Sequence, residues 1–135
     1  MLEVDDSRFP LVVMTNRDEF TADDALKYED TLDALYARDE RFALVFLSVG
    51  VKMPEARILR RLSVWMRERR RERRTLEVAT AVYLSSTFIR GALRFINQLA
   101  PPPSPQEVFD SQEAAMSWAQ EMLASESMPM NSRTG

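Results

Sequence analysis

The chain has 135 residues, 45% of them apolar and 29% charged, with a formal net charge of −3; this is enough for one folded domain with a core of its own. It contains no cysteine and no histidine, which removes disulfides, thiolate catalysis, the usual zinc ligand sets and Ser-His-Asp chemistry. No apolar run approaches the roughly 20 residues needed to cross a bilayer; the start, Met1-Leu-Glu-Val-Asp-Asp6, has no basic or apolar leader region, so no signal peptide is expected and a cytoplasmic setting is.

Leu2–Val4 and Leu11–Met14 read as two short strands joined at Asp5-Asp-Ser-Arg8, where Asp and Ser support turns through local side-chain hydrogen bonds. The short gap predicts an antiparallel hairpin, with Pro10 at the start of the second strand, where a missing N–H is tolerated. Thr21 is placed as the N-cap of a first helix, with Asp23 and Asp24 in the turn that the helix dipole makes favourable for acids. Ala25, Tyr28, Leu32, Leu35 and Tyr36 follow at helical spacing, to about Arg38. Asp23, Asp24, Asp30 and Asp33 on that helix lack the glycine turn and ligand spacing of a calcium loop, and read as a solvated face.

Arg41–Gly50 then runs almost uninterruptedly apolar and without alternation, the pattern of a central strand buried on both faces, and Gly50 ends it. Pro54 suits the first turn of a second helix, whose buried stripe is Ile58, Leu62 and Trp65 flanked by Leu59 and Met66. From Arg67 to Arg74 there are six arginines and two glutamates and no apolar residue, so that end of the helix is expected to project outward. Val78–Leu84 is a further buried strand. Ser85-Ser-Thr87 caps a third helix with Ile89, Leu93 and Ile96 inward, stopped by the stiff Pro101–Pro105 connection. Glu107–Phe109 reads as a short edge strand. Asp110 and Glu113 suggest a capping box for a last helix with Ala115, Trp118, Ala119 and Met122 on its apolar face. Residues 1–123 form the domain in this reading, and Ala124–Gly135 is a disordered tail. The order ββαβαβαβα, with about four helices, predicts an α/β domain built on one mixed sheet.

That order carries a resemblance. Glu3-Val-Asp5 at the start, Phe42-Ala-Leu-Val-Phe-Leu47 and Ala81-Val-Tyr-Leu-Ser-Ser86 in the long strands, and Val108-Phe-Asp-Ser-Gln-Glu-Ala-Ala-Met-Ser-Trp-Ala119 at the end together resemble the SpoIIAA-like branch of STAS-type domains, over about residues 2–123. The resemblance implies a cytoplasmic bacterial regulatory protein that is not an enzyme and needs no cofactor. The better-known relatives bind a partner protein and are switched by phosphorylation; others are suspected of binding lipids or apolar ligands. The better-known relatives, the anti-sigma factor antagonists, place an Asp-Ser-Ser/Thr-Gly phosphoacceptor motif at the start of the second helix. Here the matching stretch is Val51-Lys-Met-Pro-Glu-Ala56, without a hydroxyl, so the phosphoswitch does not carry over. Ser48 is the nearest hydroxyl, with a backbone-capping role expected.

Charge is distributed unevenly. Residues 1–40 carry net −8 and residues 41–75 net +8. Such asymmetry marks either a partner surface or two segments that neutralise each other on folding. Guanidinium groups grip carboxylates and phosphates bidentately. The expected partner-binding surface is therefore Ser48 and Lys52 at the strand end, Arg57, Arg60, Arg61, Arg67, Arg70, Arg71 and Arg74 on the second helix, and Ser85, Thr87 and Arg90 in the next turn. The partner favoured is a protein. Nucleic acid is disfavoured by the acidic overall charge and by the lack of aromatic residues within the arginine run. An anionic membrane surface is a weaker fit, and an edge strand could pair with a second copy. The alternative function is a carrier or sensor of an apolar small molecule or lipid between helices and sheet.

Overall fold

The computed structural model describes residues 1–50, 52–99 and 101–126, the side chains at 88, 92 and 96 apart. Ten elements follow in chain order: β1 (Leu2–Arg8), β2 (Leu11–Asn16), α1 (Ala22–Ala37), β3 (Phe42–Ser48), α2 (Ala56–Glu68), α3 (Arg70–Leu76), β4 (Glu77–Leu84), α4 (Thr87–Leu99), β5 (Gln106–Phe109) and α5 (Gln112–Glu126). The strands form one mixed sheet in the order β1-β2-β3-β4-β5. β1 and β2 are antiparallel, and every later neighbour is parallel. Because each parallel crossover steps the same way along the sheet, its right-handedness puts the intervening helices on one face. α1, α2–α3 and α4 occupy that face, and α5 returns across the other.

The apolar runs behave as their lack of alternation requires. Phe42 and Leu44 of β3 point into the core beneath α1 and α2, while Ala43, Val45 and Leu47 meet Ala115 and Ala119 of α5. Small residues on α5 let that helix lie close to the sheet. Under the first face, Tyr28, Tyr36, Phe42 and Trp65 make a chain of ring contacts with centroids 6.0–6.4 Å apart, each pair adding to the burial of its area.

The α1 N-terminus is fixed as Thr21 and Asp24 predict, and more firmly. Thr21 Oγ1 accepts from the Asp24 N–H, and Asp24 accepts from the Thr21 N–H at 2.9 Å. Asp24 also accepts from the Leu2 N–H at 2.9 Å, tying β1 to α1. Burial alone would raise the Asp24 carboxyl; the bonds from Thr21 and Leu2 and the nearby N-terminal ammonium outweigh it and hold the group below the usual carboxylate range.

Four details differ from the sequence expectation. β1 continues through Asp5–Arg8 by way of an irregularity in its pairing, and the turn falls at Phe9–Pro10, whose peptide bond is cis. Asp5 does bond the Ser7 N–H and hydroxyl, but within the strand rather than in a turn. The arginine run does not project as a single helix: it breaks at Arg69, and the second segment, α3, is anchored by buried Arg73 and Leu76. Ser111, rather than Asp110, caps α5, its hydroxyl accepting from the Ala114 N–H. Finally, α5 continues to Glu126, past the expected domain end at residue 123; the rest of the expected tail, 127–135, lies outside the described residues, as do Val51 and the side chain of Ile96.

Candidate ligand cavity and the arginine segment

A cavity of about 720 Å³ opens between α2–α3 and α4, with β3 and β4 as its floor. The floor is formed by the outward row Thr80, Val82 and Leu84 of β4 beside Leu44 and Phe46 of β3. Leu62 and Met66 of α2 line one side, and Ile89 and Leu93 of α4 the other. Its size and mostly apolar wall fall in the range of small-molecule sites. α4 stands off from α2, and Pro101, Pro102 and Pro103 beyond α4 also line the space between them.

The two ends of the cavity differ in chemistry. One lies at the carboxyl ends of the parallel strands, where open α/β sheets place ligands. Asn16, Ser48, Lys52 and Ser86 line it together with Asp18. Asn16 is only 2% exposed, and its side-chain Oδ1 accepts no hydrogen bond. Gly50 is required here by a close backbone approach: a Cβ on it would sit 1.8 Å from the Asp18 carbonyl oxygen. The other end lies beneath the α2–α3 break, where Arg67, Arg70 and Arg73 line the cavity with Asn97 and Gln106.

Arg73 connects the cavity to a buried polar network. Its guanidinium lies 3.5 Å from the Glu77 carboxylate, and Glu77 is 2% exposed. Glu77 accepts from the Tyr36 hydroxyl at 2.5 Å and from Thr80 Oγ1 at 3.1 Å. Tyr28, on the cavity wall, stands nearby. Burial first, and then the Glu77 charge, pushes both tyrosine hydroxyls well above their ordinary pKa; the hydrogen bond to Glu77 adds to the effect at Tyr36.

The remaining arginines sort by what they face. Arg61 makes a fork to the buried Glu29 of α1 at 2.9 and 3.2 Å, and Arg69 a fork to Asp33 at 2.8 and 3.0 Å. Arg69 also lies over the Trp65 ring, 5.1 Å from its centroid. Part of the charge asymmetry is thus consumed between α1 and α2–α3. Arg57 pairs with Glu55 beside it. Arg60, Arg71 and Arg74 are exposed, and neither they nor Arg67 and Arg70 make an ion pair among the described residues. Where β4 passes into α4, Ser85 donates to the Gly50 carbonyl, Thr87 Oγ1 accepts from Arg90, and Arg90 also donates to the Leu84 carbonyl. These three side chains therefore hold the turn.

Of the residues singled out from sequence, Ser48, Lys52, Arg67 and Arg70 line the same cavity. Arg57, Arg60, Arg61, Arg71 and Arg74 do not; Ser85 sits in the connecting turn, and Thr87 and Arg90 in the first turn of α4. Sequence reasoning missed Asn16, Tyr28, Arg73, Glu77 and Thr80. The signal for Asn16 was present, a lone amide closing the apolar strand Leu11–Met14 on the face shared with Val12 and Met14.

Among the described residues no group of acids is placed to hold a metal ion, and no helix is long and apolar enough to cross a membrane. No protein-family model matches the sequence, and no curated protein matches it. Solved structures do. One is an uncharacterized protein of the DUF3478 family with a SpoIIAA-like fold from Shewanella loihica PV-4; the match covers 88% of this chain and 92% of that one, at 11% identity and a TM-score of 0.57. The chain therefore has a SpoIIAA-like α/β fold, in keeping with its element order.

Proposed function

We propose that this domain is a binding protein rather than an enzyme, and that it takes an apolar small molecule into the cavity between α2 and α4. The carrying observation is the cavity itself: about 720 Å³ walled mainly by aliphatic and aromatic side chains. Asn16 supports the reading, because a buried amide oxygen without a partner costs free energy that a ligand donor would recover. The test is binding of the uncharged dye N-phenylnaphthylamine, followed by its fluorescence. Wild-type protein brightens the dye. Ile89→Trp, which places an indole in the cavity, abolishes the rise while leaving the thermal midpoint within a few degrees. No brightening by wild type, or equal brightening by a folded Ile89→Trp, sinks the reading.

A second reading has its own support. Arg60, Arg71 and Arg74 are exposed without ion pairs among the described residues, and Val64 of α2 is an exposed apolar residue. Such a surface fits an acidic protein partner. Reversing all three arginines to glutamate removes every specific partner recovered by affinity capture from the source cells; unchanged capture ends this reading.

A further inference from the structure

We infer that the ligand of this cavity is an anionic amphiphile, held with its charged group against Arg67, Arg70 and Arg73 and its apolar body running toward the carboxyl ends of the strands. This rests on the cavity being a ligand site and adds the chemistry and direction of what fills it. Arginines facing α1 are answered by carboxylates: Glu29 takes Arg61, and Asp33 takes Arg69. Those lining the cavity are answered only in part. Arg67 and Arg70 have no ion pair among the described residues, and Arg73 shares a single buried carboxylate, Glu77, with two neutral donors. The acid that does line the cavity, Asp18, lies at the opposite end near Lys52. Three guanidiniums against one carboxylate leave an excess of positive charge at the rim of an apolar space, where a carboxylate or phosphate accepts charge-assisted, bidentate hydrogen bonds.

The break at Arg69 bears on how these three are presented. α2 ends at Glu68 and α3 restarts at Arg70, with Arg69 held toward α1 between Asp33 and Trp65. Arg67, two residues before the break, and Arg70, immediately after it, both reach the cavity. From Thr80 to Leu84 the floor extends about 13 Å along β4, so a head at the arginine end leaves a chain-length apolar trough leading toward Asn16.

The experiment is calorimetric titration with three ligands of one chain length: decanoate, decyl phosphate and decanol. At least one anion is expected to bind about tenfold or more tightly than decanol. Arg67→Gln/Arg70→Gln, at two exposed positions, weakens the anions by about tenfold or more and leaves decanol within about twofold. Arg71→Gln/Arg74→Gln, the same charge loss away from the cavity, leaves all three within about twofold. Which anion binds more tightly separates a carboxylate head from a phosphate head. Equal affinity for decanol and both anions, or equal losses in the two double variants, overturns the inference while the cavity remains a binding site. No binding of any of the three removes the cavity reading and this inference with it.

Discussion

Glu77→Ala is expected to cost about 3–5 kcal/mol of folding stability, the range for breaking a buried ion pair from one side. Glu77 sits at the junction of α3 and β4, essentially inaccessible to water, and three neighbours depend on it. Arg73, 8% exposed, loses its counter-charge; Tyr36 and Thr80 lose the acceptor of their hydroxyl protons. Each unmet donor adds about 1–3 kcal/mol of desolvation that is no longer offset. Against a typical domain stability of about 5–15 kcal/mol, the variant is left marginal. The network's origin is better tested by a pair of changes than by one. Replacing both charges, as in Arg73→Met/Glu77→Gln, removes the stranded guanidinium and keeps an acceptor for Tyr36. It is expected to recover at least half of the loss seen in Glu77→Ala, because a buried pair is costly mainly when half of it is removed. Urea denaturation of the variants, with equal slopes across the transition, measures this. A Glu77→Ala loss below about 1 kcal/mol, the size of a surface ion pair, shows that water reaches the site and that the network is not buried as described.

Much of this architecture is legible in the sequence because it depends on local pattern. Phe42–Ser48 and Val78–Leu84 are apolar at every position that matters, and strands covered on both faces show that pattern directly. The α1 stripe and its Thr21 cap are likewise local. What sequence reasoning misreads is the arginine run, where charge alone suggests a solvated or partner-facing helix end. Arg73 and Glu77 are four residues apart, but they meet across a helix-to-strand junction whose place is fixed by Leu76 packing into the core. Arg61 and Arg69 find Glu29 and Asp33 only because the crossovers place α1 beside α2. The cavity is the least legible feature. Its volume is set by how far α4 stands from α2, a distance governed by tertiary packing and the proline connection rather than by any residue's own preference. Leu59, Ile89 and Leu93 carry the ordinary spacing of core residues, and nothing local distinguishes a helix face that meets another side chain from one that meets an open space.

Above about pH 10 the protein is expected to unfold steeply, through tyrosines that keep their protons in the fold. Tyr28 and Tyr36 are held neutral by burial and by the Glu77 carboxylate, so their folded pKa values lie above the unfolded value. A raised folded pKa contributes nothing adverse below the unfolded pKa. As pH rises past that value the unfolded chain releases two protons that the native state retains, and stability falls by up to about 2.7 kcal/mol per pH unit. Two pH units therefore remove about 5 kcal/mol, the low end of the usual stability range. Tyr28→Phe isolates the effect: Tyr28 makes ring contacts with Phe46 and Trp65, which a phenyl ring keeps. Its loss halves the slope to about 1.4 kcal/mol per pH unit. The chain has three tyrosines, so in a Tyr83→Phe background the tyrosinate absorbance reports Tyr28 and Tyr36 alone. The expected record is a single step in which absorbance rises together with the loss of helical circular dichroism. Tyrosinate absorbance that develops while the helical signal is intact shows that one of the two hydroxyls reaches solvent in the native state; if it also develops in Tyr28→Phe/Tyr83→Phe, the sealed network of Tyr36, Glu77 and Arg73 beneath the cavity does not survive.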